Sequence, residues 1–132
     1  MLDNEESFTL SITGDVTGEK LWGTFKAKKR LSHRDRLNQD KLRREMLGDR
    51  ADGASIDAAS IADAVSEIAI RLTDAPQWWK ASNNGLDLMD GNVISEVYKK
   101  VMEVERKVFE ELNKKAEDAE KTLKESAEKE LK

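Results

Sequence analysis

His33 is the one histidine of the chain, and proton transfer or metal binding by it would need a carboxylate or a second ligand within reach. Its neighbours Arg34 and Arg36 are cations, and no acid–base constellation surrounds it. It reads as a surface histidine in the first turn of a helix. "GDVTGEK" (residues 14–20) lacks the G-x-x-x-x-G-K-[ST] spacing of a phosphate loop and reads as a turn. "DLMDGN" (residues 87–92) carries carboxylates without the alternating spacing of a calcium loop, and reads as helix capping. With no cysteine, disulfides, thiolate metal sites and thiol nucleophiles are excluded. The sequence thus nominates no catalytic residue, cofactor-binding residue or metal ligand, and the expectation is a protein that is not an enzyme.

Binding chemistry is better represented. Trp78 and Trp79 are adjacent and follow Pro76, the only proline. Consecutive side chains cannot both point the same way, so the expectation is one ring in the core and one left for a partner, where tryptophan is enriched at hot spots. A second candidate is the basic run over residues 26–44, centred on Lys28, Lys29, Arg30, Arg43 and Arg44. Three readings stand for it: a solvated or self-pairing surface, a dock for an acidic protein surface, and a phosphate-binding face. No aromatic or Asn/Gln cluster accompanies it for base readout.

The elements that must position these residues follow from periodicity. Phe8, Leu10 and Ile12 alternate with Thr9, Ser11 and Thr13, and Leu21, Gly23, Phe25 and Ala27 repeat the pattern. Together they predict a β-hairpin over residues 7–29, which is marginal alone and needs helices or another chain's sheet to pack on. Ser32 and Asp35 form a capping signal for a lightly buried helix that ends at Gly48. The best core helix spans residues 55–73, with Ile61, Val65, Ile68 and Leu72 on one face, and Pro76 forbids its continuation. A last helix starts near Asp90 or Asn92, either of which can cap it, and carries the apolar stripe Val97, Val101, Val104, Val108 and Leu112.

Beyond residue 113 the stripe thins to Ala116, Ala119, Leu123 and Ala127, and charge dominates. Acids precede bases by four residues at Glu103 with Lys107, Glu110 with Lys114, Glu111 with Lys115, Glu117 with Lys121, Glu120 with Lys124, Glu125 with Lys129 and Glu128 with Lys132, the favourable orientation on a helix. Residues 113–132 therefore read as a charged extension that projects, frays or pairs with a partner helix, attached to a small domain over residues 1–112. The fold class is α+β and mainly helical: an N-terminal hairpin, then three helices, the last long and charged. Trp78, Trp79, Val97, Val101, Val104 and Val108 are the expected partner-binding set.

Charged residues make up 38% of the chain and hydrophobic ones 38%, so a modest core is all it can bury. The net charge of -4 is too small to select nucleic acid or an acidic substrate. No apolar run approaches the ~20 residues of a membrane span, and the acidic "MLDNEES" start is unlike a signal peptide. A soluble intracellular protein is the expectation.

The stretch "LWGTFKAKKRLSHRDRLNQDKLRREMLG", an Ala/Ile helix, and "APQWWKASNNGLDLMDGNVISEVYKKVMEVERKVF" together resemble the small tail-assembly-chaperone-type proteins of tailed bacteriophages. The resemblance rests on the G-x-F-x-x-K strand leading into a helix after Leu31 and Ser32, and on the A-P-x-W-W segment with its Leu-Asp linker into a valine-rich helix. It covers residues 21–109. It implies a small, largely helical, non-enzymatic protein of the host cytoplasm that keeps tail-tube or tape-measure proteins soluble until the tail is built, in some families with a longer frameshifted form. A protein that stays in the virion, in tail or head, is the related alternative, and nucleic-acid binding through the basic run is the second. Self-association is expected, and the long Glu/Lys helix departs from the compact pattern of the family.

Overall fold

The structure, a computed structural model, describes residues 3–48, 53 and 55–130. The loop expected over residues 48–55 falls largely outside them. Two nine-residue strands, β1 (Glu5–Thr13) and β2 (Lys20–Lys28), form the hairpin, with Phe8 opposite Phe25, Leu10 opposite Gly23 and Ile12 opposite Leu21. Period-two alternation turns these residues to one face and leaves Thr9, Ser11, Trp22 and Thr24 on the other. The turn closes with Gly14 N–H donating to Glu19 C=O at 2.8 Å, and Gly18 supplies a φ of 74°.

α1 (His33–Leu47) starts at Ser32 with the expected capping box and contains no buried residue. α2 (Ile56–Arg71) is capped by the Ser55 hydroxyl. Where a helix through residue 73 was expected, the chain leaves the helix at Leu72 and forms β3 (Leu72–Asp74), which pairs antiparallel with β2 and makes the sheet order β1-β2-β3. Leu72 and Thr73 bear branched or bulky side chains ahead of Pro76, whose ring excludes a helical conformation just before it, so extension costs little there. α3 (Gln77–Ala81) is a short turn of helix, and α4 (Gly91–Glu130) is a single helix of 40 residues, about 60 Å long at 1.5 Å per residue.

The core lies between the inward face of the sheet, α2 and the first half of α4. Leu10, Phe25, Ala27, Ile68, Trp79, Val93, Val97, Val101 and Val104 form one cluster. Ile61, expected in it, is mostly exposed, because α2 turns Ala62, Val65 and Ile68 inward instead. Small Ala62 lets α2 approach closely, and Ile61 falls on the flank. Among the described residues no helix is long and apolar enough to cross a membrane.

The start of α4 departs from the expected capping. Asp90 is buried, and its carboxylate accepts from Val16 N–H at 2.7 Å, Thr17 N–H at 2.8 Å and the Thr17 hydroxyl at 2.8 Å. Asn92 accepts from Asp15 N–H and donates to Thr13 C=O. Both side chains therefore clamp the hairpin turn onto the helix rather than capping the helix. A Cβ on Gly14 would overlap the Asp90 carboxylate, so only glycine fits there.

The clamp carries a pH dependence. The Thr17 N–H, then the Thr17 hydroxyl and Val16 N–H, hold the Asp90 carboxyl below its ordinary 3.8, against the opposing effect of burial. A depressed folded-state pKa contributes stability that is fully present above the unfolded value and is lost as pH falls through the folded value. The difference in thermal midpoint between wild type and Asp90→Asn is therefore expected to be full at neutral pH and to close as pH drops below 3.8. A difference that does not change with pH would show that the carboxylate charge plays no part.

Candidate interaction surfaces

The aromatic segment is resolved into three tryptophans with three roles. Trp79 is 0% exposed, edge-on to Phe25 at a centroid distance of 5.8 Å and to Trp78 at 6.2 Å. Trp78 is half-buried, edge-on to Phe25 at 5.9 Å, and its indole N–H donates to the Trp22 carbonyl at 2.9 Å. That carbonyl lies in the part of β2 beyond the reach of β3, so the ring closes an otherwise unpaired sheet edge. Pro76 and Trp78 sit where a Cβ on Gly23 would be, which explains the glycine in the strand. Trp79 is therefore a core residue, against its place in the expected partner-binding set, while Trp78 keeps part of its surface exposed. Trp22, on the outward face of the sheet, is 73% exposed. Period-two alternation from Leu21 and Gly23 already carries the signal for Trp22.

The valine stripe is corrected in the same way. Val97 and Val101 are fully buried, Val104 is 3% and Val108 8% exposed, and all face the chain's own sheet and α2 rather than a partner. The apolar line does not stop there. Leu112, Ala116, Ala119 and Leu123 continue it at helical spacing, and from residue 109 onward every side chain described is exposed. Leu112 is 50% and Leu123 70% exposed. At its root, Leu31, Val108, Phe109 and Leu112, with Lys29, Arg30 and Glu105, line a groove of about 250 Å³.

Of the seven expected acid–base pairs on α4, one is formed among the described residues, Glu120 with Lys124 at 3.9 Å. Lys107 reaches Glu6 of β1 at 4.0 Å instead, and Arg106 meets Glu110 at 2.6 Å. Lys132 lies outside the described residues. Exposed pairs of this kind gain little over hydration and do not hold a single geometry.

Much of the basic run is paired within the chain. Lys28 meets Asp35 at 2.8 Å, Lys29 meets Asp3 at 3.2 Å, Arg43 meets Asp63, and Arg44 meets Asp40 at 3.1 Å. Arg30 donates to the Asp3 carbonyl. Lys28 and the Ser32 N–H hold the Asp35 carboxyl below the usual range, as the Glu5 N–H and Lys29 do for Asp3. The self-pairing reading describes this face best, because each of the five cations named from the sequence already has an acid or a carbonyl beside it. His33 is exposed, and among the described residues no group of three His, Cys, Asp or Glu side chains could hold a metal ion.

A buried ion network was not legible in the sequence. Arg71, at the end of α2, is 0% exposed. Its Nε donates to Glu67 at 2.9 Å and its Nη1 lies 2.6 Å from the Glu105 carboxylate of α4. That second contact is an ion pair without hydrogen-bond alignment, and Nη2 has no partner. Glu67 also binds Arg36 of α1 at 2.7 Å, so the chain Arg36, Glu67, Arg71, Glu105 ties three helices together. No protein-family model, curated protein or solved structure matches the chain.

Proposed function

We propose that this chain is a non-enzymatic assembly protein of the tail-chaperone kind, holding a tail-tube or tape-measure protein through the free half of α4. One observation carries the reading: the line of buried valines continues as exposed Leu112, Ala116, Ala119 and Leu123. Single exposed leucines are common, Leu37 of α1 among them, but four apolar residues in register with a buried stripe make a continuous apolar line. Covering them with an apolar client segment removes that surface from water, at about 25 cal/mol per Å². The sequence resemblance supplies the class of client and the host cytoplasm as the place of work. Pairing of Lys28, Lys29, Arg43 and Arg44 with acids of the same chain weighs against nucleic acid as the partner.

The test is co-expression with tail proteins and capture of the complex. Leu112→Asp with Leu123→Asp is expected to release the client at least tenfold more readily, since it places two charges in an apolar contact. Circular dichroism of the free protein should stay native-like and its melting should shift only slightly, because Leu123 is 70% and Leu112 50% exposed. Retention should be nearly indifferent to salt. If the double variant holds the client as wild type does, the reading is wrong. Presence of the protein in purified particles would favour the virion-component alternative.

A further inference from the structure

We propose that β1 pairs edge to edge, antiparallel, with β1 of a second copy about a two-fold axis at Thr9. The sheet order leaves β1 at an edge, and the middle of this edge is open. Proteins protect edge strands with short length, charged side chains, proline or a bulge. β1 has nine residues, no lysine or proline, its two acids Glu5 and Glu6 confined to its first two positions, and an unbroken register with β2.

The hydrogen-bonding pattern indicates which groups are open. Lys29 N–H donates to Asn4 C=O and Gly14 N–H to Glu19 C=O. In the same register, the even-numbered residues of β1 bond to β2 and the odd-numbered ones point their N–H and C=O outward. The two ends of that outward row are already closed: Glu5 N–H donates to the Asp3 carboxylate and Thr13 C=O accepts from Asn92. Between them stand Ser7, Thr9 and Ser11, with no hydrogen bond to their outward groups among the described residues. This open set is symmetric about Thr9. An antiparallel copy therefore places Ser7 opposite Ser11, Thr9 opposite Thr9 and Ser11 opposite Ser7, and every N–H and C=O of the set finds a partner.

The side chains fit the same axis. On the outward face, Thr24 and Thr9 of one chain continue into Thr9 and Thr24 of the other, a row of β-branched hydroxyl residues favourable across strands. On the inward face, half-buried Phe8 meets Leu10 of the second copy. Glu5 and Glu6 fall opposite Thr13 and Ile12, so no like charges meet. Parallel in-register pairing would stack Glu5 on Glu5 and Glu6 on Glu6, which the acids disfavour. This self-complementarity selects a second copy over an unrelated extended segment. It is independent of the client reading, since no tail protein is involved.

Sedimentation velocity over roughly a hundredfold concentration range is expected to show a monomer–dimer equilibrium. Thr9→Pro removes an outward N–H while sparing the ladder to β2, a position where an edge strand tolerates proline. It is expected to raise the dissociation constant at least about tenfold. Because the chain lacks cysteine, Thr9→Cys gives a second readout that does not depend on the proline variant folding. It should cross-link two copies under mild oxidation far faster than Ser126→Cys on the exposed end of α4. A monomer throughout the range would overturn the proposal. So would a dimer abolished by Leu123→Asp and untouched by Thr9→Pro, or equal cross-linking at the two cysteine positions.

Discussion

Trp79→Ala is expected to cost about 3–5 kcal/mol, the range for truncating a fully buried large aromatic side chain. A small domain has roughly 5–15 kcal/mol in total, so this one change removes at least about a fifth of it, and most of it at the lower end of that range. The reason is geometric. Trp79 is the largest side chain with no exposed surface, it contacts Phe25, and the turn after α3 is built over it. Asn83, Asn84 and Gly85 take φ values of 61°, 57° and 93°, and a Cβ on Gly85 would lie 2.6 Å from the far edge of the indole. That ring is the floor on which the loop rests. Its Nε1–H is buried without an acceptor, so Trp79→Phe loses volume but also an unpaired donor, and should be much milder. Trp78→Ala removes the edge-on contact with Phe25 and an exposed hydrogen bond to the Trp22 carbonyl, and is expected to cost about 1–3 kcal/mol. Trp22→Ala, on an open face, should stay within about 0.5 kcal/mol. Urea unfolding of the variants checks the order. If Trp79→Ala costs no more than Trp22→Ala, the core assigned to this ring is wrong.

The same order bears on function. A loss of partner binding in Trp79→Ala reports a damaged fold rather than a lost contact. Surface variants at Leu112 and Leu123 on α4 and at Thr9 on β1 leave the core untouched, and their separate effects distinguish client binding from self-pairing.

How much of this was legible in the sequence follows from which interactions are local. Alternation from Phe8 to Ile12 and from Leu21 to Ala27 specifies the hairpin and its inward face, and Ser32 with Asp35 specifies the start of α1, because each signal lies within a few residues. The valine stripe likewise locates the buried side of α4. What covers that stripe is not local, and the valines expected to grip a partner are held by the chain's own sheet and α2. β3 depends on β2, some 45 residues earlier, offering a free edge beside Ala27. Asp90 carried a plausible capping role, but its acceptors were claimed by Val16 and Thr17, a contact no window of sequence contains. Trp22 is readable by period two, since it alternates with inward Leu21 and Gly23.

Arg71 is the least legible of these residues, and it yields the second large effect. In sequence it is an ordinary basic residue in the last turn of α2, favourable there to the helix dipole. In the fold it is fully buried between Glu67 and Glu105. Glu105→Ala is expected to cost about 3 kcal/mol or more, because it leaves a buried guanidinium with one carboxylate in place of two. Arg71→Met should cost less, although it removes the centre of the network. The two glutamates are each 18% exposed, so they can rehydrate, and Glu67 keeps Arg36 at 2.7 Å. The methionine meanwhile fills the space of the aliphatic stem without a charge to compensate. Combining Arg71→Met with Glu105→Ala should then recover much of the loss of Glu105→Ala alone, since the stranded cation is gone. Urea midpoints of the two single variants and the double variant form a cycle that isolates this coupling. Additive costs would mean that the ion pair between α2 and α4 contributes nothing beyond packing, and that the three helices are held by their apolar faces alone.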